Sequence, residues 1–379
     1  MVHVQGDVSL VNSVLTRCCR AQCTFTLAGN TAVTGTGTWT ITSGTGSITD
    51  ASSPTTTVTG VTAGITSVLR WTITNGSCSS HDEVSLINDL AVTTSNAGAD
   101  QSQCATSTFT LAGNNPATGT GLWTIVSGPG TITDASSPTT TVTGVTAGQT
   151  TVLRWTITNG SCSSNDEVSL TNDVAVSVAA AGTDQAQCAT STFTLAGNTA
   201  VSGTGVWTIT SGAGSITTPA SPTSTVTGVT AGQTTVLRWT ITNGSCSSFD
   251  EVSLINDVAV TVAAAGTDQA QCATSTFTLA GNTAVSGTGV WTITSGDGAI
   301  TDASSPTTTV TGVTAGQTTV LRWTITNGTC SSFDEVSLTN DVAVTVAAAG
   351  TDQAQCATST FTLAGNTAVS GTGMDNNKW

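Results

Sequence analysis

The sequence predicts an all-β protein, a tandem array of two-sheet β-sandwich domains with an 84-residue period. Three observations predict it. Tryptophans recur at a fixed interval: Trp39, Trp123, Trp207 and Trp291 form one series and Trp71, Trp155, Trp239 and Trp323 a second, each in steps of 84 along the chain. Threonine supplies 85 of the 379 residues, beside 40 glycines. Both disfavour helix, and the branched Cβ of threonine favours extended backbone. Apolar residues alternate in short runs between turn signals, about seven runs to a period, as in a sandwich. A period of this length fits a small domain rather than one coil of a solenoid.

The elements follow in order along residues 173–256. Val174, Val176 and Val178 alternate as a first strand, and Phe193 and Leu195 form a second that ends at Ala196–Gly197–Asn198. Val206, Trp207 and Ile209 make a third, leading into Ser211–Gly212–Ala213–Gly214. Ile216 marks a short fourth strand ending at Pro219, and Val226 and Val229 a fifth followed by Ala231–Gly232. Leu237, Trp239 and Ile241 share the inner face of the sixth, while Arg238, Thr240 and Thr242 face outward. Asn243–Gly244 turns the chain, and Val252 and Leu254 lie on the seventh. The inner faces are apolar and the outer ones mostly threonine, so such a domain stays soluble with few charges. The two tryptophans of each repeat are expected to meet in the core between the sheets. Arg70, Arg154, Arg238 and Arg322 recur on the outer face, where pairing with an acid such as Asp250 or Glu251 is expected.

The Asn-Asp steps at 88–89, 172–173, 256–257 and 340–341 divide the chain. Residues 1–88 are an irregular first repeat, 89–172, 173–256 and 257–340 are full repeats, and 341–379 are a truncated fifth. Residues 173–256 and 257–340 differ at nine positions. The tail keeps the repeat through Gly373 and departs from it at Met374. In the head, Asp7–Leu10 echoes the Asp-Glu-Val-Ser-Leu run that closes each unit, and Arg20 stands where the other repeats carry cysteine. Both ends read as cuts from a longer array. Met1–Arg20 lacks the apolar centre of a signal peptide.

Charge excludes several classes. The chain has 22 acidic and 7 basic residues, a net charge of -15, and only 8 % charged residues, about a third of the usual share. That is not the make-up of a cytosolic enzyme, and clustered cations for nucleic acid are absent. No run of 18 apolar residues marks a transmembrane helix.

Cysteine usage points outside the cell. Cys104 and Cys162, Cys188 and Cys246, and Cys272 and Cys330 each stand 58 apart along the chain. One pair per repeat reads as a structural disulfide within each domain. Cys78 is expected to pair with Cys18, Cys19 or Cys23, and Cys356 to stay unpaired. Histidine, present only at His3 and His81, does not repeat, so the pairs do not complete zinc sites.

No phosphate loop, metalloprotease motif or nucleophile elbow occurs, so no catalytic or cofactor-binding residues are assigned. Asp184, Asp250 and Glu251 are calcium candidates at a domain junction, although the spacing of a calcium loop is missing. Asn75, Asn159, Asn243 and Asn327 head N-glycosylation sequons that an Asn-Gly turn explains equally well.

Each full unit reads Ala-Gly-x-Asp-Gln-x-Gln-Cys, Thr-Leu-Ala-Gly-Asn, Gly-x-Trp-Thr-Ile, Ser-Pro-Thr-x-Thr-Val-Thr-Gly-Val and Leu-Arg-Trp-Thr-Ile-Thr-Asn-Gly-Ser/Thr-Cys-Ser-Ser. The first of these blocks is followed by Phe109, Phe193, Phe277 and Phe361. This joint motif resembles the PKD-like, immunoglobulin-like repeats of large secreted and surface proteins of Bacteroidetes. The resemblance implies tandem sandwiches, export, and a role as spacer, stalk or adhesive module. The leading expectation is a non-catalytic extracellular array within a larger surface adhesin or stalk. Its partners would be other domains of a parent protein, a surface glycan or protein, or further copies of itself, with no nucleic acid and no membrane insertion. The alternatives are carbohydrate- or cell-binding modules, accessory repeats of a secreted hydrolase, and a head-to-tail filament in which strands of 341–373 complete another copy's first unit.

Overall fold

The computed structural model describes residues 16–19, 23–357 and 360–368. Asp7–Leu10 and Arg20 lie outside them. The chain forms two compact units, Met1–Ser177 with Thr242–Ser247, and Val178–Ile241 with Ser248–Trp379.

In the first unit, repeat one contains β1 (Thr16–Cys18), β2 (Phe25–Thr26), β3 (Thr36–Ser43), β4 (Ser47–Ile48), β5 (Thr57–Thr59), β6 (Thr66–Asn75) and β7 (Cys78–Asn88). Repeat two contains β8 (Gln101–Cys104), β9 (Phe109–Thr110), β10 (Thr120–Ser127), β11 (Thr131–Ile132), β12 (Thr141–Thr143), β13 (Gln149–Asn159) and β14 (Cys162–Asp173). Four strands pair in the order β8-β14-β13-β10 and three in the order β11-β12-β9. Repeat one has the same two sheets, β1-β7-β6-β3 and β2-β5-β4.

Repeat three contains β15 (Gln185–Cys188), β16 (Phe193–Thr194), β17 (Thr204–Ser211), β18 (Ser215–Ile216), β19 (Thr225–Thr227), β20 (Gln233–Asn243) and β21 (Cys246–Asp257). Residues 173–177 and the tip Thr242–Ser247 belong to the first unit, and the rest of this repeat to the second. Repeat four, in the second unit, contains β22 (Gln269–Cys272), β23 (Phe277–Thr278), β24 (Thr288–Ser295), β25 (Ala299–Ile300), β26 (Thr309–Thr311), β27 (Gln317–Asn327) and β28 (Cys330–Asp341). Both repeat the four-plus-three arrangement. This is immunoglobulin strand order, with the first strand moved beside the last. The chain is a tandem array of immunoglobulin-like β-sandwiches.

Cross-strand pairing builds the core. Trp123 and Trp155 face each other in the β10–β13 register, their rings 5.0 Å apart, and each is 1 % exposed. They thus meet on neighbouring strands of one sheet, against Phe109, Leu111, Val142, Val145, Leu153 and Leu170. A Cβ on Gly121 would stand 2.1 Å from Trp155 Cζ2, so the glycine of each Gly-x-Trp block makes room for the second indole. Outward threonines bond one another across strands, as Thr133 with Thr141 at 2.8 Å and Thr150 with Thr171 at 2.9 Å. A few threonines turn inward instead, among them Thr151, Thr235 and Thr319 at one repeated position. Thr235 is fully buried and donates to the Ala213 carbonyl at 2.7 Å.

Two expectations are corrected by the strand assignments. Val174, Val176 and Val178 form no strand, and the first strand is β15, eleven residues later. Side chains take the backbone groups around the valine segment: Ser248 and Asp250 accept from the Ala179 and Ala181 amides, and Asn198 donates to the Val178 carbonyl. With those groups occupied, the segment is tethered without a ladder, and Val178 is 81 % exposed.

The first repeat, moreover, does not lack its edge strand. β1 pairs in parallel with β7, matching Cys18 to Asn88, so the edge that strand complementation would fill is occupied by the chain itself. Residues 341–357 and 360–368 carry no strand beyond the end of β28 at Asp341. They keep local bonds of the other repeats, such as Asn366 Nδ2 to the Val346 carbonyl at 2.9 Å. Phe361 and Leu363 are 47 % and 88 % exposed, whereas Phe277 and Leu279 are 1 % exposed beneath their sheets.

Candidate functional site

The most specialised chemistry lies at the tip of the long hairpin. In repeat two, β13 ends at Asn159 and β14 begins at Cys162, paired across a two-residue loop. Gly160 has φ +59°, as a two-residue hairpin with glycine at its first central position requires. The loop closes on Asp89, which directly follows the last strand of repeat one. Ser161 donates to Asp89 Oδ2 twice, from its amide at 2.7 Å and its hydroxyl at 2.8 Å. Asn159 Nδ2 donates to the Leu90 carbonyl at 3.0 Å. A Cβ on Gly160 would lie 2.3 Å from Asp89 Oδ1, so this approach admits only glycine.

The same contacts recur. Ser245 and Asn243 of the next tip bond Asp173 Oδ2 and the Val174 carbonyl at 2.7 and 3.0 Å. In the second unit, Thr329 and Asn327 bond Asp257 Oδ2 and the Val258 carbonyl at 2.7 and 3.1 Å. The backbone amide of Ser161 is the main reason the Asp89 carboxyl sits below the usual carboxylate range, against the opposing pull of burial. Arg17, 3.1 Å away, adds to that lowering. Ser102 and then Ser245 lower Asp173, and the Thr329 amide and hydroxyl lower Asp257.

Each of these contacts is sealed by a disulfide, and the pairing differs from the expected one. Cys104 bonds Cys246, Cys188 bonds Cys330, and Cys19 bonds Cys162. Cys18 bonds Cys23, and Cys78, Cys272 and Cys356 are free and exposed. The pairs Cys104–Cys162, Cys188–Cys246 and Cys272–Cys330 are therefore absent, as is a bond from Cys78 to Cys18, Cys19 or Cys23.

The reason is strand direction. β8 runs parallel to β14, so Cys104 lies beside Asp173, at the opposite end of β14 from Cys162. Eleven residues of strand separate those ends, about 36 Å, far beyond the ~7 Å Cα limit of a disulfide. Instead, each edge-strand cysteine meets the hairpin of the following repeat. Cys19 fills this role in repeat one, because β1 brings the chain to Asp89 one residue earlier than Arg20.

Each clasp thus has two halves. The acceptor half is an aspartate and a cysteine at, or one residue past, the ends of adjacent parallel strands, and the donor half is an Asn-Gly-Ser/Thr-Cys turn. The sequons are the donor turns, and a glycan on Asn159, Asn243 or Asn327 would have to occupy the junction. The aspartates were legible only as cut points. Their constant separation of 72 from the turn, Asp89 to Ser161 and Asp173 to Ser245, was the available signal.

The calcium candidates have separate partners. Asp184 accepts from the Ser253 amide at 2.8 Å, Asp250 from the Ala181 amide at 2.8 Å, and Glu251 pairs with Arg238 at 3.0 Å. Among the described residues, no three His, Cys, Asp or Glu side chains gather as a metal-binding group. The other recurring arginines pair likewise, Arg70 with Glu83, Arg154 with Glu167 and Arg322 with Glu335. In repeats three and four the guanidinium also lies 4.2 Å over the ring of Phe249 or Phe333. Both members of every such ion pair are about 40 % exposed, which limits each to about 0–1 kcal/mol.

No protein-family profile matches the chain. No curated protein matches it either. Solved structures similar to it include an I-band fragment of titin, at 11 % identity and a TM-score of 0.34, covering 64 % of this chain and 96 % of that one. Sidekick-1 immunoglobulin domains 1–5 are similar at 12 % identity and a TM-score of 0.30, covering 87 % and 80 %. Extracellular domains 3–5 of Drosophila OTK are similar at 11 % identity and a TM-score of 0.33, covering 66 % and 96 %. It is the strand order within each repeat that places this chain among tandem immunoglobulin-like β-sandwich arrays.

Proposed function

We propose that the chain is a non-catalytic extracellular spacer, part of a larger surface adhesin or stalk of the PKD-like kind found in Bacteroidetes. The observation that carries this reading is the clasp repeated between consecutive domains. Each one joins neighbours covalently and adds charge-assisted hydrogen bonds to a carboxylate. A tether benefits from joints of this kind, whereas a single catalytic site gains nothing from identical copies. Disulfides of this number belong to an oxidising space, hence secretion or the cell surface. The partners on this reading are other domains of the parent protein, with no part for nucleic acid. The test is peptide mapping of the native protein with its thiols blocked before digestion. Linked peptides containing Cys104 with Cys246 and Cys188 with Cys330 are expected, and fully reduced cysteines would overturn the extracellular reading.

Glycan binding is a second reading, favoured by one observation. Phe249 and Phe333 are 58 % and 59 % exposed, each with an arginine over its ring. A glycan array probed with the intact chain tests it. Signal lost in the double variant Phe249→Ala, Phe333→Ala supports binding, and no signal removes it.

A further inference from the structure

Each clasp is built on an Asn-Gly step, and that step carries a chemistry of its own. Asn-Gly occurs in this chain only at the tips of the long hairpins, at Asn75–Gly76, Asn159–Gly160, Asn243–Gly244 and Asn327–Gly328. An asparagine side chain can react with the backbone nitrogen that follows it. Glycine, with no Cβ, leaves that nitrogen unshielded. Gly160, Gly244 and Gly328 are exposed, so water has access to these turns.

The closed clasp holds this reaction off in two ways. First, the carboxamide is engaged elsewhere. The Nδ2 atoms of Asn159, Asn243 and Asn327 donate to the Leu90, Val174 and Val258 carbonyls at 3.0, 3.0 and 3.1 Å. Attack by the glycine nitrogen needs Cγ to swing back over its own backbone, which breaks that bond. The hairpin also fixes this backbone, with Asn159 opposite Cys162 and Asn327 opposite Cys330. Second, the attacking nitrogen must lose its proton beside a carboxylate. Asp89, Asp173 and Asp257 lie against Gly160, Gly244 and Gly328, each 2.3 Å from where a Cβ would stand. A negative charge there disfavours forming another.

We infer that Asn159, Asn243 and Asn327 are self-modification sites that the clasp keeps shut, so that a joint left open deamidates and cannot close again. In the open joint the glycine nitrogen gives its proton to solvent and attacks Cγ. The Cγ–Nδ2 bond breaks, ammonia leaves, and a cyclic imide forms. Water adds to either imide carbonyl, and the ring opens to aspartate or isoaspartate. No electrons are exchanged: the sum is amide plus water to carboxylate plus ammonium. Neither product fits the clasp. Aspartate at 243 loses the donor and sets a carboxylate against the Val174 carbonyl and beside Asp173. Isoaspartate adds a methylene to the backbone of a turn that admits only glycine, and displaces the hairpin end that presents Cys246.

The inference rests on the clasp reading above, and the test separates the two. The full chain is purified with its internal disulfides verified by peptide mapping. It is then aged in heavy-oxygen water at mildly alkaline pH, with and without reductant. Acid formed at Asn159, Asn243 and Asn327 carries the heavy oxygen, and isoaspartyl methyltransferase detects the isoaspartate. Formation at least about tenfold faster is expected in the reduced chain, the factor that one hydrogen bond to a carboxylate supplies. The triple variant Cys104→Ser, Cys246→Ser, Asp173→Ala opens one joint alone. Asn243 is expected to gain the same factor there, while Asn159 and Asn327 keep the oxidised rate and so report an intact fold.

Aged, reduced chains are then reoxidised. Those with acid at 243 are expected to keep Cys104 and Cys246 as thiols, whereas freshly reduced chains re-form the bond. Asn243→Ser, which cannot form the imide, is expected to re-form it after ageing as fully as before. Equal acid formation in open and closed joints, or full reoxidation of chains with acid at 243, would overturn the inference while leaving the clasps standing. Missing internal disulfides in the starting protein would overturn the clasp reading itself.

Discussion

Reducing the three clasps lengthens the covalent path through the array by about an order of magnitude. In the oxidised chain, a pull on residues 19 and 330 crosses from Cys19 to Cys162, follows the backbone to Cys188, and crosses to Cys330. Only the short stretch from Cys162 to Cys188 contributes backbone to that route. Fully extended it spans about 90 Å. The crossings add Cα–Cα steps of 5.0 and 4.8 Å, so the reach is about 100 Å. Once reduced, the whole backbone from Cys19 to Cys330 can span about 1,100 Å.

The overlap of the loops is what produces this. Residues 20–161 and 189–329 carry no load in the oxidised chain, folded or not. Single-molecule pulling between handles at the chain ends reads the difference. With reductant, up to four unfolding steps are expected, each releasing about 300 Å of contour per repeat, less the folded length. Without it, none of those steps appears. Steps of about 300 Å in the oxidised protein would refute the overlapping linkage. Steps of about 90 Å would instead indicate bonds within each repeat, which hide the backbone between Cys104 and Cys162 and leave only the stretch from Cys162 to Cys188 to extend.

Three further outcomes are expected. Trp239→Ala removes an indole that is 1 % exposed, and should lower the stability of repeat three by roughly 3–5 kcal/mol; an unchanged calorimetric profile would contradict its place in the core. Ala189 holds φ +51° after the clasp cysteine, so Ala189→Gly should stabilise repeat three by roughly 1 kcal/mol, read as a higher melting temperature. The carboxyls of Asp89, Asp173 and Asp257 lie below their ordinary value when folded. Their contribution is therefore complete above the unfolded value and is lost as pH falls through the lowered one. In reduced protein, amide exchange at Ser161, Ser245 and Thr329, corrected for intrinsic rate, should be constant above about pH 4 and accelerate below it. Protection unchanged down to about pH 2 would argue against the carboxylate as the anchor.

By itself the sequence determined the period, the fold class and the inner face of most strands. These follow from local rules: threonine's branched Cβ, alternation of apolar residues, and glycine at the turns. The paired tryptophans and the outward arginines were legible for the same reason. Tertiary structure alone decided which cysteines meet. The spacing of Cys104 and Cys162 suits a bond within a domain only if the strands bearing them bring both to the same end, and strand direction is a property of the sheet. The valine run at 174–178 was misread because side chains from β21 and the Asn198 turn, distant in sequence, take the Val178 carbonyl and the Ala179 and Ala181 amides that follow it. The aspartate at each Asn-Asp step looked like a boundary marker. It became an anchor only when the fold set it beside a parallel edge strand and within reach of the next hairpin. Most carboxylates of the described repeats are held by backbone amides, hydroxyls or arginines, and Asp89, Asp173 and Asp257 need the following domain to supply those partners.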